Sequence, residues 1–223
     1  MARQIFIGIV TEGTTDIRFL KSIVERTFTQ VALDSCRGDI EIYVEELKGV
    51  DKGNSFAELM VNASKAAIDQ MGAMTVVIHT DSDVDTYEER YQHKFIPALE
   101  KITRLQDDNH YCKQITPLIT VRMVEAWMLA DKELLKSEIN TRMSDAQLGI
   151  SRMPEKIADP KGVIEEAIRI ATEHLPRKRY RISIADLYGS IGASISLESL
   201  SRLDSYMRFR NSVYETYQSL GYV

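Results

Sequence analysis

The chain is short of the residues that staple a fold or span a membrane. Its two cysteines, Cys36 and Cys112, lie far apart in 223 residues and lack metal-ligand spacing. That excludes a disulfide framework and a cysteine-based zinc site, and lone thiols suit a reducing compartment. No apolar run approaches the ~20 residues a membrane-spanning helix needs. A strand pattern begins almost at the N-terminus, with no room for a charged n-region and a signal h-region. The expectation is a soluble, cytoplasmic protein with no membrane partner. His79, His93, His110 and His174 show no ligand spacing, and no Walker sequence occurs, so nothing marks a P-loop nucleotide site. Internal repeats and low-complexity tracts are absent. A net charge of −5 argues against indiscriminate nucleic-acid binding over the whole surface, although it permits a local basic face.

Hydrophobic residues make up 44% of the chain, enough for one good core or a core with a smaller helical appendage. Gln4–Val10 and Thr75–Asp81 are runs rich in β-branched residues, Asp39–Leu47 alternates, and Ile115–Val121 gives a fourth strand pattern. Helical spacing follows each: Asp16–Phe28, with Ile17, Leu20, Ile23 and Val24 on one face; Phe56–Met71; a polar stretch over about 86–106 broken at Pro97; and Val124–Ala130. Ser55 with Glu58 reads as a capping box ahead of Phe56. Strands alternating with helices predict βαβ units round a parallel sheet. The β signal stops near Asp131. Beyond it Asp159–Gly162 leads into an amphipathic helix ending near His174, and Leu197–Leu220 is helical again. The predicted layout is an α/β domain over 1–131, with an α-helical C-terminal part, 132–223, packed on it.

Acids gather where strands end. Asp81, Asp83 and Asp85 follow the third strand, and Glu12 and Asp16 follow the first. Alternate residues of an extended chain point the same way, so Asp81 and Asp83 are candidates to share one cation. Hard oxygen ligands suit Mg²⁺, Mn²⁺ or Ca²⁺. The bland alternative makes these acids helix caps in a solvated loop. An EF-hand is excluded, because Thr86 stands where its glycine belongs and Gln92 where its glutamate belongs. A phosphatase with an aspartyl nucleophile carries it after its first strand, and a D-x-D sugar-nucleotide or nucleotidyl transferase stays open. Glu12 and Asp16 lie about one helical turn apart, and Gly13 allows the tight turn between strand and helix. The helix dipole alone accounts for Asp16 better than for Glu12.

Lys48 and Lys52 flank a glycine-bearing loop ahead of a helix, a natural anion pocket. Arg177, Lys178, Arg179 and Arg181 form the densest basic run, with Tyr180 available for stacking and Arg208 and Arg210 as possible additions. Both groups are candidate phosphate contacts, against the alternative of a solvated face. His79 reads as a buried strand residue, and Trp127 and Met128 read as core.

A glutamate after strand one and D-x-D after strand three, on an alternating β/α chain, resemble the Toprim domain. That domain occurs in topoisomerases, DnaG-type primases, recombination proteins and nucleases of the overcoming-lysogenisation-defect type. Glu12–Leu20, Asp81–Asp83 and Val124–Asp131 look more narrowly like a Toprim-like family of unknown function. The resemblance implies a Toprim-like, Rossmann-like sheet and Mg²⁺- or Mn²⁺-dependent phosphodiester cleavage. Glu12, Asp81 and Asp83 would be its catalytic acids, Asp16 a further metal ligand, and Glu125 a motif residue supporting the site. Asp85 has no clear counterpart. The implied partners are nucleic acid, DNA ahead of RNA, and an ABC- or AAA-type ATPase in a phage-defence setting. A non-catalytic Toprim-like module binding nucleic acid or that ATPase is the alternative.

Overall fold

A computed structural model of the chain describes residues 3–83, 86–106, 109–173 and 182–223. Asp85 and the run from Arg177 to Arg181 lie outside them. The strands are β1 (Arg3–Val10), β2 (Ile40–Glu46), β3 (Thr75–Asp81) and β4 (Ile115–Thr120). They form one four-stranded, all-parallel sheet in the order β2-β1-β3-β4. Helix α1 (Asp16–Ser35) joins β1 to β2, and α2 (Phe56–Met71) carries the chain back across β1 to β3. Right-handed crossovers running in opposite directions along the sheet, β1 to β2 and then β2 to β3, must put their helices on opposite faces. The result is an α/β fold of Rossmann-like layering whose strand order reverses between β1 and β3.

Period-two alternation sorts the core into two layers. Ile5, Ile7, Ile9, Val77 and Leu118 face α1, whereas Val10, Val76, Ile78 and Ile119 face α2 and α4 (Ile96–Thr103). The helices after β4 pack mainly on the α1 face. There α5 (Val124–Met128), α6 (Lys132–Glu138), α7 (Pro160–Thr172), α8 (Ile184–Ser194), α9 (Leu197–Leu200) and α10 (Asp204–Ser219) add Trp127, Leu135, Ile164, Ile191, Tyr206 and Phe209 to one continuous cluster. The C-terminal helices therefore bury the sheet rather than build a core of their own. No helix among the described residues is long and apolar enough to cross a membrane.

Three local details differ from the sequence expectation. Helix α1 runs on to Ser35 because Val31 and Ala32 continue its buried stripe. The stretch over 86–106 is α3 (Tyr87–Arg90), a π turn (Tyr91–Phe95) and α4 rather than one kinked helix. Ile96 N–H bonds back to Tyr91 O, and this wider turn absorbs the ring and missing donor of Pro97. Ser55 caps Glu58 N–H at 3.2 Å, but Glu58 Oε2 reaches Asn54 N–H at 2.7 Å, so half of the expected box forms.

Helix α8 escaped the periodicity because Gly189 and Gly192 interrupt its apolar stripe; its signal was the capping box of Ser183 and Asp186. Gly192 is where α8 meets α1: a Cβ there would sit 2.3 Å from Phe19 O. Arg26 closes the contact by donating to Ile195 O at 2.6 Å and Gly192 O at 2.8 Å. A Gly→Ala change inside a helix ordinarily gains about 1 kcal/mol. Here the clash is with backbone, so Gly192→Ala is expected to cost about 1–3 kcal/mol instead, measured as a lowered urea midpoint. Equal or greater stability would mean the helices separate without penalty.

Candidate functional site

Open parallel sheets bind ligands where their strand order reverses, at the carboxyl ends of the strands. Here that point lies between β1 and β3, and it gathers the acids. Glu12, just past β1, accepts from Thr80 Oγ1 at 2.9 Å and from Asp81 N–H at 3.3 Å through the same Oε2. Asp16 folds back to accept from Gly13 N–H at 2.7 Å. Any Cβ on Gly13 would lie 2.9 Å from that carboxylate, which explains the glycine.

On the α1 side, Asp81 Oδ1 accepts from Thr120 Oγ1 and stands 3.3 Å from His79 Nε2. His79 Nε2 is 3.2 Å from the same hydroxyl. The other ring nitrogen, Nδ1, lies 3.7 Å from Asp16 Oδ2 and makes no hydrogen bond among the described residues. His79 is 1% exposed, buried in its strand as expected. It also bridges the acids of two strand ends, a role the sequence reading missed. The signal was its i, i+2 spacing from Asp81, which puts both on one face of β3.

Glu125 enters from α5, 5% exposed, with Tyr188 of α8 donating its hydroxyl to Oε1. Burial pushes this carboxyl up, and the negative charge of Asp81 adds to the effect. Burial and the Glu125 carboxylate likewise raise Tyr188. With its folded-state value above 4.5, Glu125 holds a proton more tightly folded than unfolded. Its stabilising contribution is full below 4.5 and is lost as pH climbs through the raised value. Urea midpoints measured across that range should fall less steeply in Glu125→Gln than in the wild type; equal slopes would contradict this.

Asp83 does not join Asp81. The strand ends at Asp81, and Asp83 adopts φ 56°, which breaks the alternation that would have aimed both carboxylates the same way. Its Oδ2 pairs with Arg90 Nη2 at 2.7 Å, and the same nitrogen donates to Ser82 O. Just past β4, Arg122 (φ 69°) pins the turn through Ser82 Oγ and the Asp83 backbone. As placed, no three His, Cys, Asp or Glu side chains among the described residues converge closely enough to hold an ion.

Among the expected cations, Lys52 reaches the site, donating to Glu12 O at 2.8 Å. Lys48 instead pairs with Glu46, while its backbone is tied to Gln70. Arg208 stacks 4.9 Å over Tyr87 and pairs with Glu88, and Arg210 pairs with Asp34 at 2.8 Å. Neither arginine is an open basic surface. Lys94, unremarked in the sequence, lines the same cleft as Lys52 and Glu12. No family model, curated protein or solved structure matches the chain.

Proposed function

We propose that this protein is a metal-dependent nuclease of Toprim type, hydrolysing phosphodiester bonds with Mg²⁺ or Mn²⁺. One observation carries the reading: Glu12, just past β1, sets its carboxylate on the backbone N–H of Asp81 at the end of β3, so acids of adjacent strand ends gather at the switch point of a parallel sheet. The donor set fits a hard cation chemically, since Glu12, Asp81 and the nearby Asp16 offer carboxylate oxygens. Those three would hold it, once its attraction replaced the hydrogen bonds now made to Thr80, Thr120 and Gly13. When bound, such an ion activates water and neutralises charge on the phosphoryl oxygens. Thr80 and Thr120 orient the Glu12 and Asp81 carboxylates through their hydroxyls. Lys52 supplies positive charge toward an incoming phosphate. Glu125, held by Tyr188, keeps a further acid beside Asp81 without exposing it.

A second reading has its own support. The ion pair of Asp83 with Arg90 commits one of the family's acids elsewhere. That favours a Toprim-like module that binds nucleic acid, or a partner ATPase of the ABC or AAA type, without cutting. Supercoiled plasmid, and separately a single-stranded RNA, incubated with the purified chain and Mn²⁺ should distinguish the two. Nicking that EDTA abolishes supports the nuclease; binding without any cleavage in Mg²⁺ or Mn²⁺ supports the module.

A further inference from the structure

Beside Glu12 lies a cleft of about 240 Å³, bounded by the end of β1, the loop before α2 and the π turn. Lys52 and Lys94 stand over it, Phe56 and Leu59 give an apolar wall, and Glu12 and Thr80 close the end nearest the acids. Lys52 spends one N–H on Glu12 O, and an ammonium has three, so donors remain for an anion. Lys94 Nζ rests 5.7 Å over the Phe56 ring. Lys21, Lys48 and Lys65 each pair with a carboxylate. Among the described residues neither Lys52 nor Lys94 has one within ion-pair reach. Two cations against the Glu12 carboxylate leave this concavity net positive in a chain of net charge −5, which favours an anion.

We infer that this cleft seats a single phosphorylated nucleotide unit of a strand, with Lys52 and Lys94 on its phosphate and Phe56 and Leu59 against its sugar or base. The inference rests on the nuclease reading for its biological sense but not for its test. Three features select that ligand over a bare anion or a duplex. Lys94 Nζ stands over the Phe56 ring, so cationic and apolar groups line the cleft together, which suits an amphiphilic ligand with one charged end. The volume falls below the ~300–1,000 Å³ of drug-sized sites, enough for about one nucleotide unit. A duplex, whose major groove alone is about 12 Å wide, does not enter it. The chain is thereby assigned to strand ends, flaps or single strands rather than to the interior of duplexes. Lys94 reaches the cleft because the π turn sets its direction, so it becomes a specificity-determining residue for the same site.

The experiment is a titration of the full chain in EDTA, where no cleavage intervenes, followed by nuclear magnetic resonance or calorimetry. The probes are deoxyadenosine monophosphate, inorganic phosphate, a 5′-phosphorylated tetranucleotide and a blunt hairpin duplex. The mononucleotide and the tetranucleotide should bind, with phosphate alone at least about tenfold weaker. Lys52→Ala with Lys94→Ala should weaken both by at least about tenfold, and the paired Lys→Arg variant should recover most of the loss. Circular dichroism melts check that each variant is folded. Mononucleotide binding unaffected by the double alanine variant overturns the inference, as does phosphate binding as tightly as the mononucleotide. Hairpin binding through these lysines that matches the tetranucleotide overturns the single-strand assignment. A chain that binds the mononucleotide here but cuts nothing with Mn²⁺ refutes the nuclease reading alone. A chain that cuts without binding through these lysines refutes the cleft alone.

Discussion

Under the proposed nuclease function, converting Asp81 to asparagine is expected to lower Mn²⁺-dependent nicking by about 10²-fold or more, the scale of losing one preorganised electrostatic group. The melting temperature in EDTA should stay level or rise. Asparagine keeps a carbonyl oxygen for the Thr120 hydroxyl, so no buried donor is orphaned. It removes a negative charge that acts on Glu125. The two readouts separate chemistry from folding: initial nicking rates at saturating protein, and thermal melts without metal. A rate within a factor of a few of wild type would remove Asp81 from the chemistry. A large fall in melting temperature would make it a structural residue.

The second large effect concerns Trp127, which is 0% exposed. Its Nε1 donates to Ser205 Oγ at 2.7 Å, and its ring meets Tyr206 edge-on at 5.4 Å and Phe209 at 6.4 Å. These contacts fasten α10 to α5, the helix that carries Glu125. Trp127→Ala should cost about 3–5 kcal/mol, through lost transfer energy and the cavity left behind. Trp127→Phe should cost less, about 1–3 kcal/mol, because Ser205 is fully buried and loses its donor. As the chain has one tryptophan, its fluorescence reports unfolding of the wild type, and far-ultraviolet circular dichroism serves the variants. A change below about 1 kcal/mol for the alanine variant would mean that this core relaxes to fill the gap.

The sheet was legible because its signals are local. Buried β-branched runs, with Ser55 capping α2 and Asp159 capping α7, fix where elements begin, and these came out within a residue or two. The strand-end acids were legible for the same reason, since Glu12 and Asp81 need only follow their strands. What could not be read was the outcome of contacts between distant segments. Asp83 leaves the strand's alternation because Arg122, just past β4, and Arg90 of α3 hold it. Tyr188 finds Glu125 across 63 positions. Lys94 lines the cleft beside Glu12 from a π turn that periodicity treats as ordinary helix. Glycines at the α1–α8 contact look like helix breakers until Phe19 is seen against Gly192.

The two faces of the sheet also differ in how far along the chain their partners come from, and this should govern the order of folding. The α2 and α4 face is completed by residues lying between Val10 and Ile119. The opposite face waits for Tyr206, Phe209 and Tyr217, with the Tyr217 hydroxyl bonding to Phe28 O across 189 positions. Contacts of such separation close late and slowly. Pulsed hydrogen exchange during refolding should therefore protect β3, β4 and α2 before α1. Until α10 docks, Leu118 on β4 and Trp127 on α5 leave apolar surface open to self-association, so refolding yield should fall as protein concentration rises.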